Sequence, residues 1–321
     1  MPERQVTVSA PHPRLALTGA TGFVGRSLLA RLNGAGRPVR ALARAKPGRT
    51  LAHQPGLDWV PGGLDDPDAL AALMDGAEVL LHCAGATNAL TRDTFHRVNA
   101  DGTAAVTRAA RKAGVRHVIL LSSLAATRPE VSDYAASKAV GEARLLAESG
   151  EMAVTILRAP AVVGPGDAAT APLFTMLARG WMPVIGGKTR SARFSVIDVE
   201  DLAALLLVFA TDMPKPGQRQ TYAPYGHAAL GWGDLAESAE RVTGRRVRQV
   251  VLPHAAAVLL GRGADLVARL SGRSQVFSSG KVREMCAGDW IGDTPIAATT
   301  PIDETMGRCL APFLRLGKAQ E

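Results

Sequence analysis

Short apolar runs alternate with longer segments of helical periodicity along the first half of the chain. The runs predict strands at 14–18, 37–43, 57–60, 77–82, 115–121 and 153–157. The clearest predicted helices are 23–32, a helix that Asp66 caps, and 134–148. Strands that alternate with helices form βαβ units, and continuous apolar strands are covered on both faces. The pattern therefore predicts an α/β fold with a doubly wound parallel sheet.

The pattern changes after Pro160. Turn-forming glycines and prolines interrupt short helical segments at 164–167, 182–188 and 214–217, and clusters of this kind mark loops. We predict one sheet domain over residues 1–158 and a smaller domain, built on the edge of that sheet, over residues 159–321.

Composition narrows the class of protein. Of the 321 residues, 47% are apolar and 21% are charged, as is ordinary for globular proteins. The longest apolar run, 202–210, is about half of a membrane span, and the N-terminus has no apolar signal core. Cys83, Cys286 and Cys309 show neither disulfide nor zinc spacing. We expect a cytoplasmic protein with no membrane span and no metal.

The net charge of +8 raises the question of an anionic partner. The basic residues are scattered, and the densest run, 244–249, has no aromatic residues on which bases could stack. We therefore expect no nucleic acid. A basic surface also suits a phosphorylated small molecule.

A glycine-rich segment, Thr18-Gly-Ala-Thr-Gly-Phe-Val-Gly25, follows the first predicted strand and opens the first predicted helix. In such a loop one glycine permits the tight turn, one lets backbone approach a pyrophosphate, and one lets helix and strand pack closely. The helix N-terminus then offers N–H groups to the phosphates. The spacing of Gly19, Gly22 and Gly25 predicts a dinucleotide site.

The end of the second predicted strand indicates which dinucleotide binds. A carboxylate there binds the ribose of NAD, whereas a cation accepts the 2′-phosphate of NADP. The chain has Arg44, followed by Lys46 and Arg49, and no acid until Asp58. Arg44 could also be an ordinary exposed loop residue. We predict NADP rather than NAD.

A tyrosine and a lysine stand four residues apart on the helix after the fifth predicted strand. Tyr134 and Lys138 therefore lie on one helix face, where the ammonium, together with an oxidised nicotinamide, favours the phenolate and lowers the tyrosine pKa. A surface lysine beside a buried tyrosine would give the same spacing. Their place after the fifth strand favours a catalytic pair.

These motifs together resemble the short-chain dehydrogenase/reductase superfamily, and in particular its extended or atypical NAD(P)-dependent epimerase/dehydratase branch. The resemblance spans roughly residues 14–205. It is carried by Thr18–Gly25, His82–Gly85, Val98–Thr103, Leu121–Ser123, Tyr134–Lys138, Leu157–Pro160, Gly164–Gly166 and Val196–Leu202. It implies a Rossmann-type sheet domain that binds NAD(P), with residues 159–321 mainly binding substrate.

The resemblance also implies roles for individual residues. Ser123 would orient the substrate oxygen, Tyr134 would pass the proton, and Lys138 would tune Tyr134 and hold the nicotinamide ribose. The expected cofactor-binding residues are Gly19, Thr21, Gly22, Phe23, Val24, Gly25, Arg44, Leu64, Ala84, Gly85, Tyr134, Lys138, Ala161 and Val163. The sequence departs from the family pattern at Gly63, where relatives often carry an acid for adenine.

Three functions remain open: a reductase or dehydrogenase of a small carbonyl or alcohol, a nucleotide-sugar epimerase or dehydratase, and a non-catalytic cofactor-binding scaffold or sensor. Nucleotide-sugar enzymes usually carry Val-Tyr-Gly after the catalytic serine, where this chain has Leu124-Ala-Ala-Thr. Phe194 occupies the expected position of their phosphate-binding arginine. The intact serine, tyrosine and lysine disfavour a scaffold. We expect hydride transfer to or from a small molecule, and leave a homodimer open.

Overall fold

A computed structural model describes residues 13–44, 51, 53–273, 275 and 277–317. Its strands are β1 Leu15–Thr18, β2 Val39–Ala43, β3 Leu57–Pro61, β4 Val79–His82, β5 His117–Ser123, β6 Ala153–Ala159, β7 Ala161–Val163, β8 Trp181–Ile185, β9 Phe194–Asp198, β10 Arg219–Tyr222, β11 Pro224–Tyr225, β12 His227–Leu230, β13 Arg248–Leu252 and β14 Thr294–Pro295. Its helices are α1 Phe23–Gly34, α2 Pro67–Met74, α3 Arg92–His96, α4 Gly102–Lys112, α5 Asp133–Glu148, α6 Ala171–Ala178, α7 Val199–Thr211, α8 Trp232–Thr243, α9 His254–Ser271, α10 Ser279–Cys286 and α11 Ile302–Gly317.

The main sheet of the described chain has seven strands in the order β10-β6-β5-β4-β1-β2-β3. Every neighbouring pair is parallel. The strand order reverses between β1 and β4, where Thr18 pairs with His82 at the carboxyl ends. In open α/β sheets ligands bind at such a reversal. The predicted α/β fold with a doubly wound, Rossmann-type sheet is confirmed.

Helices cover both faces of this sheet. On one face α1 and α7 pack through side chains such as Leu28 and Leu206, and on the other face α2, α4 and α5 pack through Leu70, Val106 and Leu145. Burial on both sides explains why the central strands read as continuous apolar runs. The predicted N-cap of α2 is also present, with Asp66 accepting from the backbone N–H of Ala69 at 3.0 Å.

Strand β5 continues two residues beyond the apolar run that predicted it. Ser122 and Ser123 pair with Arg158 and Ala159 of β6. The apolar run ends at Leu121 because the side chains of Ser122 and Ser123 make polar contacts. The strand continues through both residues, since its backbone hydrogen bonds do not require apolar side chains. Ser123 is thereby fixed at the carboxyl edge of the sheet.

The later part of the chain builds a second core from α6, α8, α11 and β8, with Phe174, Met182 and Leu310 among its buried members. β10 returns to the main sheet and pairs with β6. The division at residue 158 remains a prediction. No helix in the described ranges is long and apolar enough to span a membrane.

Candidate active site

The glycine loop between β1 and α1 contacts the loop after β4. Gly19 has φ +75°, and a Cβ there would lie 2.5 Å from the backbone nitrogen of Ala84. The turn closes through a hydrogen bond from the Gly22 N–H to the Gly19 carbonyl at 2.9 Å. Gly22 occupies the N-cap of α1 without a side chain to cap it. The first turn of α1 therefore presents N–H groups that suit phosphate oxygens.

A buried hydrogen-bond chain joins the ends of β1 and β4 to α4. His82 bonds the Thr18 hydroxyl through Nδ1 at 2.6 Å and the Thr103 hydroxyl through Nε2 at 3.0 Å. Since Thr103 donates to the Asn99 carbonyl, its oxygen accepts from Nε2–H. Burial is the main cause that lowers the pKa of His82 to about 3, and the charge of Lys138 adds to it. His82 is therefore a neutral structural link.

The predicted catalytic residues meet at the carboxyl end of β5. The Tyr134 phenol lies near enough to the Ser123 side chain for Ser123 to lower its pKa. Ser123 Oγ accepts from the backbone N–H of Ala125 at 3.2 Å. Lys138, one turn further along α5, donates from Nζ to the Leu121 carbonyl at 2.9 Å. The structure brings together Ser123, Tyr134 and Lys138, which are spread over 16 positions of the sequence.

The pKa of Tyr134 in the protein alone is set mainly by burial. Burial raises this pKa, the Ser123 side chain lowers it, and the charge of Glu284 raises it. The net result is a pKa of about 12. In the protein alone, desolvation of the phenolate dominates. The lowering expected from Lys138 together with an oxidised nicotinamide remains a prediction. At neutral pH Tyr134 keeps its proton, so it is suited to donate one.

Burial has the opposite effect on the neighbouring lysine. It lowers the pKa of Lys138 to about 8, while the charge of Glu142 works against the shift. Glu142, also buried, accepts from the Ser122 hydroxyl at 2.5 Å and from Arg158 Nη2 at 2.7 Å. This cluster ties α5 to β5 and β6, and supplies the negative charge that favours the Lys138 ammonium.

Asn99 shapes the space beside Lys138. It lies in a π-helical turn, Arg97–Asp101, and its amide accepts from the Ala86 N–H at 2.8 Å and donates to the Ala86 carbonyl at 2.9 Å. A Cβ on Gly85 would lie 3.2 Å from Asn99 Oδ1 and 3.8 Å from Lys138 Nζ. The glycine therefore leaves a cradle next to the ammonium that a ribose hydroxyl can enter.

A sequence model of the NAD dependent epimerase/dehydratase family matches residues 15–222, more than half of the chain. The chain belongs to this family. As a member of the epimerase/dehydratase family it is an NAD(P)-dependent enzyme of the oxidoreductase/epimerase type, in the extended short-chain dehydrogenase/reductase branch. The uncapped α1 terminus and the Gly85 cradle fit such a cofactor.

Among curated relatives of this epimerase/dehydratase member, Ceramide reductase of Caulobacter vibrioides is 38% identical over 288 residues, covering 89% of each chain. The crystal structure of gox2253 aligns over 96% of this chain and 99% of its own, with 22% identity and a TM-score of 0.73. Bordetella bronchiseptica WbmH in complex with NAD⁺ aligns over 95% of this chain and 99% of its own, with 18% identity and a TM-score of 0.69. The two structural likenesses concern the fold.

The positions predicted for the adenosine half of the cofactor lie at the ends of β2 and β3. Arg44 is exposed directly after β2, while Lys46 and Arg49 lie outside the described residues. Leu64 packs against Gly102 of α4. The Asp65 carboxylate lies where a side chain on residue 63 would start.

The position that binds phosphate in nucleotide-sugar enzymes is occupied by an aromatic pair. Phe194 packs against Trp232, with ring centroids 4.9 Å apart. The adjacent Arg193 forms an ion pair with Asp234 at 3.2 Å. Phe194 carries no charge and Arg193 is paired with Asp234, so neither offers a free cation to a phosphate. This agrees with the departures from the nucleotide-sugar pattern in the sequence.

No local sequence pattern pointed to the C-terminal residues that contact the loop between Ser123 and Tyr134. Ser132, the N-cap of α5, donates to Glu284 Oε1 at 2.5 Å. Arg128 stacks over Trp290 at 4.5 Å and donates to the carbonyls of Ala287 and Asp289. About 150 residues separate the partners in each contact, so no local pattern could reveal them. The segment 284–290 thereby closes over the loop between Ser123 and Tyr134.

Proposed function

We propose that this protein is an NADPH-dependent reductase that transfers a hydride to a ketone of a long-chain amide lipid. The observation that carries the reaction type is the Tyr134 phenol beside Ser123 and one helical turn from Lys138, with its pKa raised to about 12. The substrate class is drawn from the relative named Ceramide reductase, which is 38% identical over 89% of each chain.

The three residues divide the work as follows. Ser123 and Tyr134 donate hydrogen bonds to the substrate carbonyl oxygen, and Tyr134 passes its proton to that oxygen as negative charge develops. Lys138 binds the nicotinamide ribose and keeps positive charge near the phenol. The cofactor supplies the hydride. The backbone of Ala161 and Val163, in β7 beside the end of β6, faces the carboxamide.

The Tyr134 pKa favours this direction of reaction. Reduction of a ketone consumes a proton, and a phenol with a pKa of about 12 holds that proton at neutral pH. Oxidation of an alcohol needs a phenolate, which burial and Glu284 disfavour. The resting site is therefore arranged as a proton donor.

In this proposal the protein distinguishes NADPH from NADH by the 2′-phosphate. The first turn of α1, with Gly19, Gly22 and Gly25 and the neighbouring Thr21, Phe23 and Val24, holds the pyrophosphate. Arg44 holds the 2′-phosphate. Leu64, Ala84 and Gly85 line the adenine and ribose positions. Each assignment follows from the place of the residue at the carboxyl edge of the sheet.

The test is turnover with a substrate panel. Wild-type protein and Tyr134→Phe are incubated with NADPH and either an oxo-ceramide in detergent, short-chain ketones or UDP-sugars, with products identified by mass spectrometry. We expect the oxo-lipid to be reduced and Tyr134→Phe to be nearly inactive. Conversion of a UDP-sugar without net NADPH consumption would establish an epimerase instead. Tight NADPH binding with no turnover of any class would leave a sensor.

A further inference from the structure

Helix α9 presents an apolar face to solvent. Five of its aliphatic side chains are each more than half exposed, and Leu270 is 81% exposed. These side chains are Leu259, Leu260, Leu266, Val267 and Leu270. With about 3.6 residues per turn they fall on one side of the helix, opposite the buried residues Ala257, Gly261 and Ala268. Exposed apolar surface of this extent marks an interaction site.

The opposite face fixes α9 to the rest of the protein. A Cβ on Gly261 would lie 3.0 Å from the Ser279 Cα, so α9 and α10 approach closely at this point. The Asp265 carboxylate accepts from the backbone N–H of Ser279 at 3.3 Å. The apolar face is therefore the outer side of a helix that already has its place in the fold.

Positive charge borders the apolar face. Arg262 and Arg269, two turns apart along one edge, are exposed, and Arg273 follows the end of the helix. The acid within α9, Asp265, points toward α10, as its bond to Ser279 shows. The outer surface of α9 thus combines leucines with cations. A helix with this composition lies in the plane of an anionic bilayer interface, with leucines in the acyl region and arginines at the headgroups.

We propose that the outer face of α9 docks this protein on an anionic lipid bilayer. The leucines enter the boundary between headgroups and acyl chains, and Arg262 and Arg269 bind the lipid phosphates. This interaction goes beyond the proposed reaction and does not depend on it. It would bring a lipid substrate to the enzyme at the surface where that lipid resides.

The position of α9 connects this surface with the active site. α10, which packs against α9, carries Glu284, and Glu284 accepts from Ser132 at the start of α5. A single helix thus lies between the docking face and the helix that bears Tyr134. In a docked enzyme the bilayer-bound helix α9 would thus rest on α10, which contacts the start of the helix that bears Tyr134.

A second copy of the chain fits the face less well. In an antiparallel twofold contact the arginines of both copies would line the same edge, where like charges repel. A bilayer that contains phosphatidylglycerol offers negative charge along the whole edge instead. Charge complementarity therefore selects the bilayer as the occupant.

The test is sedimentation of the full-length protein with large vesicles, of either phosphatidylcholine alone or phosphatidylcholine mixed with phosphatidylglycerol. The variants are Leu259→Ser/Leu266→Ser/Leu270→Ser and Arg262→Gln/Arg269→Gln. The control is Val208→Ser, which alters an aliphatic side chain that is 61% exposed on another helix, α7. Thermal unfolding and NADPH affinity verify that each variant is folded. Size-exclusion chromatography reports the oligomeric state.

We expect the wild type to sediment with the anionic vesicles and the leucine variant to bind at least about tenfold more weakly. The arginine variant should lose its preference for phosphatidylglycerol, and Val208→Ser should bind as the wild type does. Equal binding of the leucine variant, or no binding of the wild type, would overturn the proposal. A wild-type dimer that the leucine substitutions dissociate would assign the face to a second copy. Because no turnover is measured, these results are independent of the proposed reaction.

Discussion

The hydroxyl of Ser132 donates to Glu284 Oε1 at 2.5 Å while its oxygen accepts from the backbone N–H of Ala135 at 3.0 Å. The residue that starts the catalytic helix is thus held by an acid from α10. Lys281 pairs with the same carboxylate at 3.0 Å. Since Glu284 also raises the Tyr134 pKa, the C-terminal region influences the residue that we propose as proton donor.

Replacing this acid should change the titration of Tyr134. Glu284→Gln keeps an acceptor for Ser132 and removes the negative charge, so the pKa of Tyr134 should fall from about 12 toward its ordinary value. Phenolate absorbance during a pH titration measures this. Subtracting the Tyr134→Phe curve isolates Tyr134 from Tyr222 and Tyr225. An unchanged Tyr134 titration in Glu284→Gln would show that burial alone sets the value.

The hydroxyl of Tyr134 should be needed for turnover and not for cofactor binding. Tyr134→Phe removes one oxygen and keeps the ring contact with Phe95, whose centroid is 6.0 Å away. Turnover should fall by about 10²–10⁴, the usual contribution of a general acid. NADPH titration by fluorescence should give nearly the wild-type affinity. Full turnover by Tyr134→Phe would show that another group supplies the proton.

Cofactor affinity should decline in alkaline solution. Lys138 has a pKa lowered to about 8, so its ammonium is present below that pH and is lost as the pH rises through it. If the ammonium holds the ribose, NADPH affinity should drop above about pH 8, and Lys138→Met should bind weakly with a flat profile. Dissociation constants measured between pH 6.5 and 9.5, chosen as about 1.5 pH units on either side of this value, test this. An equally steep decline in Lys138→Met would assign the effect elsewhere.

Arg44 should distinguish the two cofactors. In Arg44→Ala the 2′-phosphate loses a charge-assisted contact, so NADPH should bind about tenfold more weakly while NADH affinity barely changes. Isothermal titration of both cofactors against both proteins measures the difference. Arg40→Ala serves as control. Arg40 lies in β2, the strand just before Arg44, and donates to the carbonyls of Ala72 and Asp75. Equal wild-type affinities for NADH and NADPH would contradict the assignment.

The buried Glu142 should contribute to both stability and electrostatics. Glu142→Gln leaves Arg158 without its charged partner, and breaking such a contact should lower the free energy of unfolding by about 2–3 kcal/mol. The same change removes a charge that raises the Lys138 pKa, so the alkaline decline of NADPH affinity should begin at lower pH. Urea unfolding and the pH series measure the two effects. Glu148→Gln, at an exposed pair with Arg108, should leave both nearly unchanged.

The sequence by itself determined the sheet and the order of the catalytic residues. Continuous apolar runs predicted the central strands, because a strand buried on both faces admits little else. Glycines at 19, 22 and 25 predicted the turn, since a side chain at Gly19 would collide with Ala84. Tyr134 and Lys138 were found from a spacing of four residues, which a helix places on one face. All these signals are local.

Only the tertiary structure decided the surroundings of those residues. Glu284 contacts Ser132, and Trp290 contacts Arg128, across about 150 residues of sequence. The direction of the Tyr134 pKa shift depends on burial and on the charge of Glu284, which no spacing can report. The exposure of the leucines in α9 is likewise visible only once Gly261 shows which face meets α10. Local patterns specify backbone geometry, whereas charge and solvent access are set by contacts that folding alone brings together.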